Sequence, residues 1–265
     1  MNIAGIILAA IMIGILGCFI GFFLGFAGIK FQVEVDEKES AINEALPGNN
    51  CGGCGFAGCS GLAAAIAKGD APVNACPVGG EAVAKKIGEI IGVSVDQGKR
   101  MTAFIHCMGD CNKATTAYEY TGTKDCRMAK YVPGGGPKAC DMGCIGFGTC
   151  VQECPFDAIR IVNGIAVVDK EACKACGKCI EVCPNHLISM IPYDAKYEVA
   201  CKSKQKGQVT MKMCSIGCIA CTLCERNCPC QAIKVDDNCA SIDQDLCNGC
   251  GICAEKCPKK VIVKV

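Results

Sequence analysis

The sequence predicts an α+β chain, with one N-terminal membrane helix followed by small modules in which cysteines replace a conventional core. Three observations predict it. Residues 3–29, from Ile3 to Ile29, carry no charged side chain. All but Cys18 of the 28 cysteines follow that run, many of them two residues apart and grouped in fours. Trp is absent and aromatics make up only 5% of the chain, so large side chains are too few to fill several small cores.

The apolar run exceeds the roughly 20 residues needed to cross a bilayer as a helix. It is too long for the apolar part of a signal peptide, and no basic residue precedes it. Residues 1–30 are therefore read as a transmembrane anchor contacting lipid through residues 3–29. Gly17, Gly21 and Gly25 recur at small-xxx-small spacing, which lets another helix approach closely; a glycine-rich helix without a partner fits the same pattern. Lys30 is followed by Glu34, Asp36 and Glu37, so flanking charge says little about orientation.

Residues 31–92 form the next predicted domain. A short amphipathic helix over 37–46 leads to Leu46-Pro47-Gly48, then to Cys51-x2-Cys54-x4-Cys59 with Cys76 beside Pro77. Interspersed glycines allow backbone to fold closely around four thiolates, the ligand number of a 4Fe-4S cluster. A second helix is expected over 82–91 and a strand connection over Val93–Ile105. Residues 93–131 are read as a connecting module containing Cys107, Cys111 and Cys126.

Downstream, C-x-x-C-x-x-C-x-x-x-C-P occurs unbroken three times: Cys173, Cys176, Cys179, Cys183; Cys218, Cys221, Cys224, Cys228; and Cys247, Cys250, Cys253, Cys257. A fourth run, Cys140, Cys144, Cys150, Cys154 with Pro155, is stretched. This is the pattern of bacterial-type two-cluster ferredoxins, in which the last cysteine of each run serves the other cluster. Two tandem ferredoxin-like domains follow, at 132–199 and 200–265. The expected sets are Cys140, Cys144, Cys150 with Cys183; Cys173, Cys176, Cys179 with Cys154; Cys218, Cys221, Cys224 with Cys257; and Cys247, Cys250, Cys253 with Cys228. Between the runs, Ile159–Asp169 alternates around Asn163-Gly164, a two-residue hairpin signal. Ala232–Asp243 does so around Asp237-Asn238, and strands at Leu187–Ile191 and Val261–Val265 complete the small sheets.

An internal repeat aligns Cys126 with Cys201 and Cys140 with Cys214. Cys107, Cys111 and Cys126 need a fourth thiolate, and either Cys201 or Cys214 supplies it, with Cys201 favoured. Six 4Fe-4S clusters are thus expected, with iron held by these cysteines. Cys18, Cys230 and Cys239 read as structural thiols, His106 beside Cys107 is at most a rare alternative ligand where thiolates dominate, and His186 reads as a surface or packing residue.

The formal charge of +1 omits the clusters. Six oxidised cubes with their thiolates, at about −2 each, would bring the chain to roughly −11. Clusters need reduced thiols, which places the modules on the cytoplasmic side. Without metal the chain is expected to be largely unfolded beyond residue 50. No dinucleotide fingerprint, phosphate loop or hydrolytic triad is present, and no nucleic-acid partner is expected. Lys202, Lys204, Lys206 and Lys212 form a basic run that either docks an acidic donor or is a solvated loop.

The order of parts resembles the B subunit of the Rnf complex, the ion-translocating ferredoxin:NAD oxidoreductase of bacterial membranes. The resemblance covers essentially the whole chain. It rests on the anchor, on Ala45-Leu46-Pro47-Gly48-x-Asn50-Cys51-Gly52-Gly53-Cys54-Gly55-x-x-Gly58-Cys59, on Cys107-Met108-Gly109-Asp110-Cys111, and on Gly136-Pro137-Lys138-x-Cys140. It implies a single-pass component of the cytoplasmic (inner) membrane that accepts electrons from reduced soluble ferredoxin. It further implies relay to flavin and iron–sulfur subunits and to NAD+, with export of Na+ or H+. A polyferredoxin subunit of a hydrogenase or formate dehydrogenase assembly would share the ferredoxin runs without needing Cys51–Cys76. A structural metal-binding membrane protein would hold zinc instead.

Overall fold

The structure, a computed structural model, describes residues 3–30, 36–94 and 99–265. Glu34 and part of the Val93–Ile105 connection lie outside the described residues. Helix α1 (Ile3–Lys30) has 28 residues, roughly 42 Å at the helical rise, longer than the roughly 30 Å hydrocarbon layer. From Ile11 to Phe26 its large side chains are exposed, Phe22 at 78%. Gly14, Gly17, Gly21 and Gly25 face open space.

Three helices form the next unit: α2 (Glu37–Ala45), α3 (Cys59–Lys68) and α4 (Gly80–Ile91). Asp36 starts α2 by accepting the Lys38 amide at 3.0 Å. The three helices bury Ile42, Leu62, Ile66 and Ile87 together. This apolar core is small but complete, so the unit owes part of its stability to ordinary burial.

The rest of the chain builds one pattern twice. In the first half, β1 (Met101–Ile105), α5 (Cys126–Lys130) and α6 (Thr149–Gln152) precede the hairpin β2 (Ile159–Val162) and β3 (Ile165–Val168), followed by α7 (Lys178–Glu181) and β4 (Ile188–Pro192). In the second, β5 (Tyr197–Val199), α8 (Gly207–Met213) and α9 (Leu223–Arg226) precede the hairpin β6 (Ile233–Asp236) and β7 (Cys239–Ile242), followed by α10 (Ile252–Lys256) and β8 (Ile262–Lys264). Both hairpins turn as their sequences predict. Asn163 and Gly164 have φ of 47° and 76°, and Asp237 and Asn238 have 46° and 61°, the positive pair that a type I′ turn requires.

The outer sheets run across the expected boundaries. β1 pairs antiparallel with β4, from Met101↔Pro192 to Ile105↔Ile188, and β5 pairs with β8 from Tyr197↔Lys264 to Val199↔Ile262. Residues 101–105 thus pair with the last strand of the first ferredoxin-like unit, and 197–199 with the last strand of the second. The physical reason is that the last strand of each unit needs a partner for its backbone groups, and the strand entering the unit provides it.

Candidate metal centres

Of the cysteines outside α1, all but Cys51, Cys111, Cys230 and Cys239 gather into six sets, five of four and a first of three that Cys51 would complete from the adjoining loop, numbered by their order in space. Set 1 lies in the three-helix unit. Cys51 and Cys54 sit on the loop before α3, Cys59 opens α3, and Cys76 precedes α4, with Cys54, Cys59 and Cys76 packed on one core. The Gly79 amide donates to Cys76 Sγ at 3.3 Å, and the Asn50 side chain accepts the Cys59 amide at 2.8 Å.

Set 2 lines one cavity with Cys154, Cys173, Cys176 and Cys179. The Ala103 amide of β1 donates to Cys173 Sγ at 3.4 Å. Set 5 lines another cavity with Cys218, Cys221, Cys224 and Cys257. Set 6 contains Cys228, Cys247, Cys250 and Cys253, with Cys253 within electrostatic reach of the other three. In sets 2, 5 and 6 the structure brings together the thiols that the ferredoxin spacing pairs.

Sets 3 and 4 differ from the expected grouping. Cys126 does not join Cys107 and Cys111. It opens α5 and lines a cavity with Cys144, Cys150 and Cys183, which is set 3. Cys140 leaves that group and lines a cavity with Cys107, Cys201 and Cys214, which is set 4. Cys201 and Cys214 are therefore both present rather than alternatives, and Cys111 is exposed, its amide bound to the Asn163 carbonyl at 2.9 Å. The reason is legible in the stretched run. Aligned on Cys144, Cys150 and Cys154, the ferredoxin template puts Phe147 at the second ligand position, so one thiol must come from elsewhere. Cys126 fills the gap and Cys140 is released. The repeat that equates Cys140 with Cys214 is the signal, since both are spare in their own runs.

Set 4 is built from both ferredoxin-like units, with Cys107 and Cys140 from one and Cys201 and Cys214 from the other. A Cβ on Gly109 would lie 3.3 Å from Cys214 Sγ and 3.8 Å from Cys107 Sγ. His106 lines the same cavity, but both its ring nitrogens are engaged, Nδ1 with the Val199 carbonyl at 2.8 Å and Nε2 with Ser189 Oγ at 2.7 Å. Burial pushes its pKa down.

The sets lie side by side. A Cβ on Gly53 in set 1 would fall 2.6 Å from the Cys176 carbonyl oxygen in set 2. Cys150 of set 3 is in electrostatic reach of Cys179 in set 2. The Cys144 amide of set 3 donates to Cys107 Sγ of set 4 at 3.3 Å, and the Cys218 amide of set 5 donates to Cys201 Sγ of set 4 at 3.4 Å. Sets 5 and 6 share one unit in which α9 packs on α10. The order is thus 1–2–3–4–5–6.

Electrostatics fit a metal-thiolate centre. Burial pushes the thiols of Cys150 and Cys179 up to about 12, and those of Cys140, Cys144 and Cys224 up to about 11. A bound metal ion would draw the protons off such thiols. Cys201 and Cys218 are held below the ordinary thiol value, first by a hydrogen bond from Cys239. Cys239 lies on β7 with its Sγ 3.2 Å from the Cys201 carbonyl oxygen. All the cysteines are free thiols. Cys230 stands 3.7 Å from Cys228, sulfur to sulfur. In the basic run, Lys202 donates to the His186 carbonyl at 2.6 Å and Lys204 pairs with Asp237.

Comparison with known proteins agrees with this chemistry. Residues 46–78 match an Fe-S cluster family, residues 136–184 a 4Fe-4S dicluster domain and residues 240–263 a 4Fe-4S binding domain. The chain is 41% identical to the B subunit of the Na(+)-translocating ferredoxin:NAD(+) oxidoreductase complex of Acetobacterium woodii, over 95% of this chain and 75% of that protein. It is 41% identical to the B subunit of the ion-translocating oxidoreductase complex of Methanosarcina acetivorans, over 93% and 94% of the two chains. Identity to the B subunit of the proton-translocating ferredoxin:NAD(+) oxidoreductase complex of Clostridium ljungdahlii is 40%, over 97% and 92%.

Proposed function

The chain belongs to the B-subunit family of Rnf-type ion-translocating oxidoreductase complexes, and from that premise we propose that it relays electrons from reduced soluble ferredoxin toward membrane partner subunits and NAD+. As an electron-transfer subunit with 4Fe-4S domains it acts within an ion-translocating complex at a membrane. The observation that carries the finer reading is the unbroken spatial series of six thiol sets.

In each set four thiolates would hold one cube, and a bound 4Fe-4S cluster supplies reversible one-electron chemistry. The chain's own residues do the positioning. Gly53 lets set 1 touch set 2. Cys154 and Cys183 exchange between sets 2 and 3, as Cys228 and Cys257 do between sets 5 and 6. Set 4 joins the two ferredoxin-like units by taking two ligands from each. The short β-hairpins and buried amides hold the sulfurs at fixed positions.

Polarity follows from the tether. Only residues 31–36 separate α1 from α2, at most roughly 25 Å of extended chain, so set 1 stays near the bilayer. Set 6 lies at the other end with Cys250 exposed. Soluble ferredoxin would deliver at that end, and the membrane subunits would be served from set 1, with the clusters on the cytoplasmic side of a single-pass anchor.

The test uses the purified complex in sealed vesicles under anaerobic conditions. Reduced ferredoxin should bleach the visible absorbance of this subunit and yield NADH, and neither should occur with a complex lacking this chain. NADH formation from ferredoxin without this chain would refute the assignment.

A further inference from the structure

Lys138 carries a feature that ligand assignment leaves unexplained. Its side chain is buried, with the residue 8% exposed. Nζ donates to three backbone carbonyls, Gly109 at 2.9 Å, Cys144 at 2.9 Å and Gly164 at 2.7 Å. All three of its protons are used, yet none meets a charge. Among the described residues no carboxylate pairs with it within 4.0 Å. An ammonium taken from water costs much unless an opposite charge compensates. Burial pushes the Cys140 thiol up, with a smaller push from Asp141 beside it, and Asp141 gives its backbone carbonyl to Lys130 instead.

The carbonyls it binds show what the charge faces. Gly109 follows Cys107 by two residues and contacts Cys214, so that bond ties the ammonium to set 4. Cys144 is itself a member of set 3, and Gly164 is the hairpin turn above it. Lys138 lies electrostatically close to both Cys107 and Cys144. Its charge therefore sits at the junction of two sets that would each bring net negative charge when loaded.

We propose that Lys138 is a buried counter-charge shared by sets 3 and 4, which raises the reduction potentials of both clusters and so sets the energy level at the middle of the relay. The inference rests on the cluster reading above. A fixed cation favours the more negative, reduced state of a neighbouring centre. Net anionic clusters placed side by side also repel, and a cation between them offsets that repulsion. Lys138 is a positioning residue for charge and holds no iron.

The experiment is a potentiometric EPR titration of the anaerobically purified full chain as wild type, Lys138→Gln and Lys138→Arg, with iron and sulfide counted for each. Gln is neutral yet still donates to carbonyls; Arg keeps the charge. The proposal expects Lys138→Gln to retain iron and to weaken two of the one-electron reductions at least tenfold, about 59 mV each. Lys138→Arg should stay near wild type. If Lys138→Gln loses the iron of about two clusters while Lys138→Arg keeps it, the charge requirement is likewise supported. Potentials unchanged in Lys138→Gln, or equal loss of iron in both variants, would overturn it. A wild-type iron count far from six clusters would instead refute the underlying reading, so the two failures are distinguishable.

Discussion

Substituting one glycine should uncouple the N-terminal unit from the relay without removing any iron. Gly53 has no Cβ where the Cys51 loop meets the backbone of Cys176. An added methyl carbon would lie 2.6 Å from the Cys176 carbonyl oxygen, 3.0 Å from its Cα and 3.2 Å from its carbonyl carbon. Those atoms are main chain, held by set 2, and cannot rotate away. Reaching an ordinary 3.4 Å contact requires the two units to part by roughly 0.8 Å. Overpacking of this kind costs about 1–3 kcal/mol, which is about a 5–150-fold shift in the docking equilibrium. The backbone of Gly53 is not left-handed, so the effect comes from the contact alone.

The assay compares Gly53→Ala with Gly61→Ala in the loaded full chain. Gly61 lies in α3, where a Cβ meets only Phe56 Cβ at 3.9 Å, and Ala should gain up to about 1 kcal/mol of helix propensity. Both variants should hold wild-type iron. Only Gly53→Ala should weaken the magnetic interaction between the reduced set 1 and set 2 centres in the EPR spectrum. An interaction equal to wild type in Gly53→Ala would refute the contact and with it the place of set 1 in the series.

Four cysteine substitutions separate the sets, and one at Asn50 tests the three-helix unit. Cys126→Ser should cost about four iron per chain, one cube, whereas Cys111→Ser should cost none; equal loss in both would restore the grouping read from the sequence. Cys201→Ser and Cys214→Ser should each remove the same cluster, so that the double variant loses no more iron than either single one. Asn50→Ala removes the acceptor for the Cys59 amide and should lower the stability of the three-helix unit by about 1 kcal/mol, seen as an earlier denaturation midpoint at unchanged m.

Much of this architecture is readable from residues alone, and for local reasons. Asn163-Gly164 and Asp237-Asn238 specify turns that need positive φ, and three unbroken cysteine runs bring their ligands within one loop. The anchor is legible because nothing interrupts 27 uncharged residues. What is not legible depends on distant pairing. β1 finds β4 across more than 80 residues, a choice no local propensity encodes. α3 escapes a reading of the sequence because Cys-Ser-Gly-Leu-Ala-Ala-Ala-Ile-Ala-Lys opens on a ligand and glycine and only then becomes a good helix former. The exchange of Cys126 and Cys140 between sets 3 and 4 is likewise non-local. Set 4 exists only once both ferredoxin-like units are folded against each other, so counting cysteines within one run could not find it.

Iron, acid-labile sulfide and zinc per chain, measured on anaerobically purified protein, decide whether the six thiol sets hold 4Fe-4S clusters. Six loaded sets require about 24 iron, about 24 sulfide and no stoichiometric zinc. About 20 iron would show that one set is not a centre and would break the series, and zinc in place of iron would contradict the electron-transfer function itself.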